Sequence, residues 1–386
     1  KGAVAVTALN SGFKSNIIGT LCHYNDARAF CVAGDEKEAQ VFCNDLCMMG
    51  YKACVYPQRD FNFREVSGIS REYEHQRLKV LTKLLTGECD IVVGTIDALL
   101  QYTIPPEILK KATLHLKQGQ QISTEQCVEA LNLLGYERTD MVEGTGQFAL
   151  RGGILDLFVP DSENPVRVEF WGDEIDSINH FDILTQRRFD KVDSILLSPS
   201  NEILVENKAE LSEIVKKANL LRSEKTEKAK ETLYREAENI ANGVNLTILD
   251  KYISLVYKKP ATVLDYVDEE DFIFISEHTN ISDRVKSMEF QYKEDMKEYF
   301  EDGILCRGLD KFSMDYKEFL EIVNTRHTIF MDNFTSGHFD LPLSDIVSFN
   351  VKQVAPWNGL LTVLCEDLNE FFKERTTVAI LAGTEK

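Results

Sequence analysis

The sequence predicts an α/β protein in which a parallel-sheet domain carries a smaller α+β antiparallel domain as an insertion. Short apolar runs alternate with helical segments over the first hundred residues, a pattern typical of βαβ units. Apolar and polar residues then alternate with period two between turn signals, and the α/β pattern returns from residue 261. Domain 1 is therefore predicted at 1–113 and 204–386, and domain 2 at 114–203.

The elements of the first part of domain 1 follow from apolar runs bounded by turn residues and from the helical stretches between them. Two consecutive prolines, Pro105 and Pro106, end the alternation. The predicted strands are 3–9, 29–33, 53–56 and 90–94, and the predicted helices are 15–24, 36–49, 71–85 and 96–102.

Domain 2 is predicted to begin with a helix at 124–134 and to continue as antiparallel strands separated by glycine and Asn-Pro turns. The highly charged stretch 207–240 has an apolar stripe at helical spacing and predicts a long helical segment. The stripe consists of Leu211, Ile214, Val215, Ala218 and Leu221. Strands of domain 1 are then predicted at 271–275, 327–331 and 377–383.

The composition excludes several classes of protein. With 44% hydrophobic and 27% charged residues, the chain has enough apolar material for packed cores, which excludes a disordered or low-complexity protein. No apolar run is long enough for a transmembrane helix, and we expect a cytoplasmic protein with no membrane partner. A net charge of −20 disfavours non-specific DNA binding. The nine cysteines include no Cys-x-x-Cys pair, so we expect reduced thiols and no metal site.

The segment after the first strand has the position of a phosphate-binding loop, and it ends in Lys14-Ser15 as such loops do. Both glycines of the loop are missing, because Ala8 and Phe13 occupy their positions. Glycine allows backbone N–H groups to approach phosphates closely, and a phenylalanine beside the lysine obstructs that approach. This half of a nucleotide site is therefore degenerate.

The second half of such a site is an apolar strand that ends in Asp-Glu, where the aspartate holds Mg²⁺. The run at 272–275 is a suitable strand, but it ends in Ser276-Glu277, so the metal-binding aspartate is missing. Both halves of one ATP site have lost key groups. The parallel-sheet domain is therefore interpreted as helicase-like, that is, derived from a P-loop NTPase without its chemistry.

These residues resemble the N-terminal module of bacterial transcription-repair coupling factors (Mfd), which is itself similar to the damage-recognition protein UvrB. The degenerate segments above and LDY (264–266) resemble domain 1 of that module. The most specific segments lie in domain 2: GYERTDMVEG (135–144), GQFALRGGILD (146–156) and NPVRVEFWGDEIDSI (164–178).

The resemblance implies a UvrA-binding surface at Arg151, Arg167, Glu169 and Trp171. Strand alternation places the last three on the face opposite to the core, and Trp and Arg are common in binding hot spots. The alternative is that Arg167 and Glu169 form a surface ion pair while Trp171 packs on the helix of domain 2.

The chain departs from UvrB at two places. UvrB has an intact nucleotide site, and it has a long tyrosine-rich hairpin that inserts into DNA, whereas this sequence has only a short link at 99–106. The resemblance therefore implies a non-catalytic module that recruits UvrA in transcription-coupled nucleotide excision repair. No cofactor is expected in it.

The chain looks truncated, and ATP, Mg²⁺, duplex DNA and RNA polymerase are expected to bind translocase and polymerase-binding domains beyond residue 386. The alternative function is a UvrB-type ATP-dependent DNA-processing domain that uses Lys14, Ser15 and Glu277.

Overall fold

The structure is a computed structural model that describes residues 2–64, 70–220, 227–243, 249–334, 338–349, 351, 358–378 and 380. Strands and helices alternate in the first part of the chain, as predicted. They are β1 (Ala3–Thr7), α1 (Ser11–Asn25), β2 (Ala29–Ala33), α2 (Glu36–Met48), β3 (Ala53–Val55), α3 (Glu72–Thr86), β4 (Ile91–Thr95), α4 (Ile96–Leu100) and α5 (Pro106–Ala112). Between β4 and residue 117 the chain forms these two short helices and a strand, so the long hairpin of UvrB has no counterpart there.

The middle of the chain is rich in short strands. Its elements are β5 (Leu114–Lys117), α6 (Thr124–Leu133), β6 (Glu137–Arg138), β7 (Gln147–Arg151), β8 (Ile154–Leu157), β9 (Val166–Trp171), β10 (Glu174–Phe181), β11 (Arg188–Val192) and β12 (Ser194–Leu197). Strands β6 to β11 form a six-stranded sheet in the order β11-β10-β9-β8-β7-β6, in which all pairs except β6–β7 are antiparallel. One face of this sheet packs on α6 through apolar side chains that include Cys127 and Leu131.

The last part of the chain returns to the first domain. Its elements are α7 (Lys208–Leu220), α8 (Glu227–Ala241), α9 (Ile253–Val256), β13 (Phe272–Ser276), α10 (His278–Glu301), α11 (Tyr316–Asn324), β14 (His327–Met331), β15 (Leu343–Ser348) and α12 (Leu361–Lys373). The seven-stranded sheet has the order β15-β1-β14-β13-β2-β4-β3, and every neighbouring pair is parallel. This topology confirms the predicted α/β class, with strands from both ends of the chain in one parallel sheet.

Helices cover both faces of the parallel sheet, as is usual when the strands are nearly continuous in apolar residues. Ile18 of α1 and Phe42 of α2 belong to the core on one face. Leu81 of α3, Ile281 of α10 and Phe319 of α11 belong to the core on the other. The carboxyl ends of β1 and β13 lie on either side of β14, which brings the two halves of the degenerate nucleotide site together.

Two sequence predictions need correction, and one strand of the parallel sheet is missing from the prediction. The described part of 207–240 forms α7 and α8, and Leu211 and Val215 of α7 belong with Leu233 of α8 to a small core that also includes Tyr252 and Leu309. Leu221 and the side chain of Ala218 lie outside the described residues. The strand predicted at 377–383 is not formed at 377, 378 and 380, and the side chain at 380 is exposed; the other residues lie outside the described part. Strand β15 was not predicted.

The two domains meet at buried polar contacts. The carboxylate of Glu202 is fully buried and accepts hydrogen bonds from the guanidinium groups of Arg77 and Arg59. His75 of α3 reaches domain 2 residues: its Nε2 lies 3.1 Å from the carbonyl oxygen of Ser200, and its Nδ1 lies 2.7 Å from Thr145 Oγ1. Because a carbonyl only accepts, Nε2 carries the proton and Nδ1 accepts from the hydroxyl. These contacts fix domain 2 on domain 1.

The described residues contain no helix that is both long and apolar enough to cross a membrane. All nine cysteines are free, and most are buried. Among the residues with defined positions, no group of three or more His, Cys, Asp or Glu side chains is arranged to hold a metal ion.

Candidate protein-binding site and degenerate nucleotide site

Strand β9 separates core side chains from surface side chains. Val166 and Val168 are fully buried in the core of domain 2. Arg167, Glu169 and Trp171 lie on the opposite face, as the alternation predicts, and Trp171 is 84% exposed. The alternative in which Trp171 packs on the helix of domain 2 is therefore wrong.

A buried carboxylate holds two of the predicted binding residues. Asp156 of β8 lies directly opposite Arg167 of β9, and its side chain is only 2% exposed. It accepts hydrogen bonds from Arg167 Nε at 2.6 Å and from Arg167 Nη2 at 2.8 Å, and a third from Arg151 Nη2 at 2.8 Å. The hydrogen bond to Asp156 raises the pKa of Arg167. A charge-assisted fork of this kind fixes a guanidinium in both position and orientation.

The turn between β10 and β11 holds Arg167 from its other side. Arg167 Nη1 donates to the carbonyl oxygen of Gln186 at 3.2 Å, and Nη2 donates to Gln186 Oε1 at 3.1 Å. Gln186 has a left-handed backbone with φ of 59°. The turn is tied internally, because Asp182 Oδ1 accepts from both the backbone N–H and the hydroxyl of Thr185. Arg167 is thus enclosed by protein groups and only 14% exposed.

Glu169 pairs with Arg188 and not with Arg167. Its Oε2 accepts from Arg188 Nη1 of β11 at 2.7 Å and from Ser177 Oγ at 2.8 Å. The surface ion pair between Arg167 and Glu169, which was the alternative, is therefore wrong, because each residue has its own partner of opposite charge. Arg188 pairs with Phe181 of β10, just beyond a register shift between Asn179 and Phe181.

Register places an exposed aliphatic residue inside this group. Ile154 pairs with Arg151 on one side and with Glu169 on the other, and its side chain is partly exposed. We call the set formed by Arg151, Ile154, Arg167, Glu169, Trp171 and Arg188 the docking face. Sequence reasoning missed Ile154, Arg188 and the underlying Asp156. Alternation within β8 indicates that Ile154 and Asp156 share a face, but only the strand register connects that face to β9.

The degenerate nucleotide site has a helix where a phosphate-binding loop would lie. Helix α1 begins at Ser11, earlier than predicted, because the Asn10 side chain accepts from the backbone N–H of Phe13 at 2.9 Å. Strand β1 ends before Ala8, which has a left-handed backbone with φ of 58°. The Phe13 ring packs edge-on against Phe349, with ring centroids 5.3 Å apart. The N-terminal N–H groups that would contact a phosphate are thus partly used by an internal cap.

The structure brings the predicted residues of this site together, but they bind one another. Lys14 is 1% exposed, and its Nζ lies 2.5 Å from Glu277 Oε1, 3.0 Å from Ser276 Oγ and 3.7 Å from Glu38 Oε1. Ser276 Oγ also donates to Glu38 Oε1 at 2.8 Å. Ser15 Oγ donates to Asp45 Oδ2 at 2.9 Å. Two carboxylates therefore lie beside the ammonium group that would have to bind a nucleotide phosphate.

Comparison with known proteins agrees with this architecture. Residues 114–203 match the family model described as the UvrB interaction domain. Over 99% of its length the chain is 27% identical to the transcription-repair-coupling factor of Bacillus subtilis and 25% identical to that of Staphylococcus epidermidis. In each case the alignment covers 33% of the relative, so the chain spans about a third of the length of these curated relatives. The resemblance inferred from the sequence is confirmed.

Proposed function

We propose that this chain is the UvrA-recruiting module of a transcription-repair coupling factor and acts in transcription-coupled nucleotide excision repair. The observation that carries the proposal is the docking face, which lies within the segment that matches the UvrB interaction domain. Its apolar residues Ile154 and Trp171 are exposed, and its arginines are held in fixed positions by internal carboxylates. A preorganised face with an exposed tryptophan and arginines is typical of a protein-binding hot spot.

We assign two further activities of a whole coupling factor to regions outside the present chain. They are ATP-dependent translocation on duplex DNA and displacement of stalled RNA polymerase. The net charge of −20 favours a protein partner over a phosphate backbone for the module itself.

The second candidate is a UvrB-type domain that binds and hydrolyses ATP. It would require the ammonium of Lys14 to leave Glu277 and Glu38 and the position of Ser276 to supply a metal ligand, although a hydroxyl is a weaker Mg²⁺ ligand than a carboxylate. We therefore propose that the module binds no nucleotide and has no cofactor. Calorimetric titration with MgATP should give no saturable heat, and micromolar binding that is lost in Lys14→Ala would favour the second candidate.

The test of the proposed function is a calorimetric titration of the chain with purified UvrA. Trp171→Ala and Arg151→Ala should each weaken binding by about 2 kcal/mol, as expected for central hot-spot residues. Trp171 is largely exposed, so its variant should change the free energy of unfolding by no more than about 0.5 kcal/mol. Arg151 is half exposed and donates one of the three hydrogen bonds to the buried Asp156, so its variant should lose about 1 kcal/mol. Arg138→Ala, which removes an exposed arginine of the edge strand β6 outside the docking face, is the matched control and should bind normally.

If the Trp171 and Arg151 variants bind UvrA as tightly as the parent chain, the docking face is not the UvrA site. If they lose binding only in proportion to a loss of folded protein, the effect is one of stability and the assignment fails as well.

A further inference from the structure

The three arginines of the docking face differ in how many of their N–H groups are already used. Arg167 donates four hydrogen bonds, two to Asp156 and two to Gln186, and is 14% exposed. Arg151 and Arg188 each donate one hydrogen bond to an internal carboxylate in the described part of the chain. Their side chains are 52% and 51% exposed. Since a guanidinium has five N–H donors, Arg151 and Arg188 keep most of theirs for a partner.

The two arginines are held by carboxylates on neighbouring strands, Arg151 by Asp156 of β8 and Arg188 by Glu169 of β9. Arg151 lies on β7, and the carboxylate that holds Arg188 belongs to Glu169 on β9, in the row that also contains Ile154. Asp156 pairs with Arg167, two residues before Glu169, so the two anchoring residues are diagonal neighbours about 7–8 Å apart. An exposed aliphatic side chain thus lies between two half-exposed cations.

We infer that Arg188 is a contact residue of the docking face, paired with Arg151. Arg167 is then a positioning residue, which holds Asp156 and the turn at Gln186 together. This assignment rests on the proposed function and specifies the chemistry of the partner surface: two acidic side chains on either side of an apolar one. Glu169 then acts through Arg188, because it orients that guanidinium from within the sheet.

Arg188 is the residue whose substitution tests the inference. In titrations with purified UvrA, Arg188→Ala should weaken binding about tenfold, and Arg188→Glu should weaken it further because a like charge then faces the acidic partner. The thermal melt of Arg188→Ala should match that of the parent chain, since the side chain is half exposed. Its affinity should also depend less steeply on salt, because one charge contact is lost. Arg138→Ala is again the matched control.

A double-mutant cycle separates the two possible roles of Glu169. Glu169→Gln keeps the size of the side chain and removes its charge, so it should weaken UvrA binding in the parent chain. In an Arg188→Ala background it should have no further effect, because the residue it positions is already absent. A further loss in that background would mean that Glu169 contacts the partner directly and would overturn its positioning role.

The outcomes distinguish this inference from the proposed function. If Arg151→Ala and Trp171→Ala weaken UvrA binding while Arg188→Ala binds like the parent chain, the docking face is correct and Arg188 is not part of its contacts. If none of the three variants changes the affinity, the proposed function of the face fails, and this inference fails with it.

Discussion

The degenerate nucleotide site and the docking face are both built from cations held by carboxylates, but they differ in what is left for a partner. In the first, the single ammonium of Lys14 lies among two carboxylates and a hydroxyl and is almost inaccessible. In the second, Asp156 and Glu169 each accept only one hydrogen bond from Arg151 and Arg188, whose side chains stay about half exposed. The same pairing of charges closes one site and preorganises the other.

The difference between the two sites follows from the free-energy cost of burying charged groups. A buried ion pair contributes little net stability, yet removal of one partner is costly because it leaves an unpaired charge. A pair with one exposed member can keep its geometry without that liability and offer its unused donors to another protein. Substitutions in the two regions should therefore differ in their effects on stability and on UvrA binding.

Arg167→Ala should have the largest effect on stability. It leaves the buried carboxylate of Asp156 with one hydrogen bond, from Arg151, in place of three. Because Arg151 remains, the cost should lie at the lower end of that for a broken buried ion pair, about 3 kcal/mol. UvrA binding should also be lost, because Arg167 no longer joins Asp156 to the turn at Gln186 and the docking face loses its fixed geometry. Urea unfolding and UvrA titration measure the two effects separately.

Val168→Ala is the control for that experiment, since it alters the same strand on the core face. It should cost about 1–2 kcal/mol through the cavity it leaves, while the folded fraction binds UvrA normally. If Arg167→Ala is as stable as the parent chain, Arg167 does not frame the docking face and the contrast between the two regions is wrong.

His75 makes the junction between the domains pH-dependent. Burial lowers its pKa to about 4, against about 6.5 for an unperturbed histidine. Because the folded pKa is depressed, the folded state binds this proton less readily than the unfolded state. Stability is fully present above pH 6.5 and falls as the pH drops towards 4, by up to about 3 kcal/mol. Protonation would remove the acceptor that Thr145 uses.

His75→Gln isolates this contribution because glutamine keeps an N–H donor for Ser200 but does not titrate. The difference between the unfolding free energies of the two proteins should change steadily between pH 6.5 and pH 4. The neighbouring Glu74, whose pKa is raised by burial, acts in the opposite sense and is present in both proteins. Parallel curves would show that His75 does not couple the junction to pH.

Lys14→Ala tests the closed site. Two partly buried carboxylates, Glu277 and Glu38, lose their cation, and the free energy of unfolding should fall by about 2 kcal/mol. UvrA binding should be unchanged, because the docking face lies on the other sheet. A stability equal to that of the parent chain would mean that Lys14 is not part of an internal network, and a change in UvrA affinity would link the two regions.

Much of this organisation could be predicted from the sequence, and the exceptions share a cause. Periodicity and turn residues predict the strands at 29–33 and 327–331 with their observed bounds, and alternation predicts the two faces of β9. The partners of Arg167 could not be predicted, because Asp156 and Gln186 are brought to it by strand register and by a turn with an unusual backbone. Local pattern determines which face a side chain lies on, whereas its partner depends on tertiary structure.

The early start of α1 has the same kind of explanation. The strand 3–9 and the lysine-serine pair indicate a loop before the helix, and the cap by Asn10 replaces that loop with helix. The sequence does identify Ala8, Phe13 and Ser276 as departures from a functional nucleotide site. It does not indicate that Glu277 and Glu38 turn towards Lys14, which depends on β13 and α2 lying beside α1.

Ala8→Gly should give the smallest effect and the clearest test of what the closed site retains. Ala8 has φ of 58°, a left-handed conformation that costs an L-residue roughly 1 kcal/mol and that glycine adopts without strain. Glycine also increases the entropy of the unfolded chain, so the net gain in the free energy of unfolding should be about 0.5 kcal/mol.

Combined with Phe13→Gly, this change restores both glycines of a phosphate-binding loop, yet calorimetric titration with MgATP should still give no saturable heat. The reason is that Lys14 remains bound to Glu277 and Ser276 still stands where a metal-binding aspartate is needed. Saturable nucleotide binding by that double variant would show that the missing glycines, and not the internal ion pairs, keep the site closed.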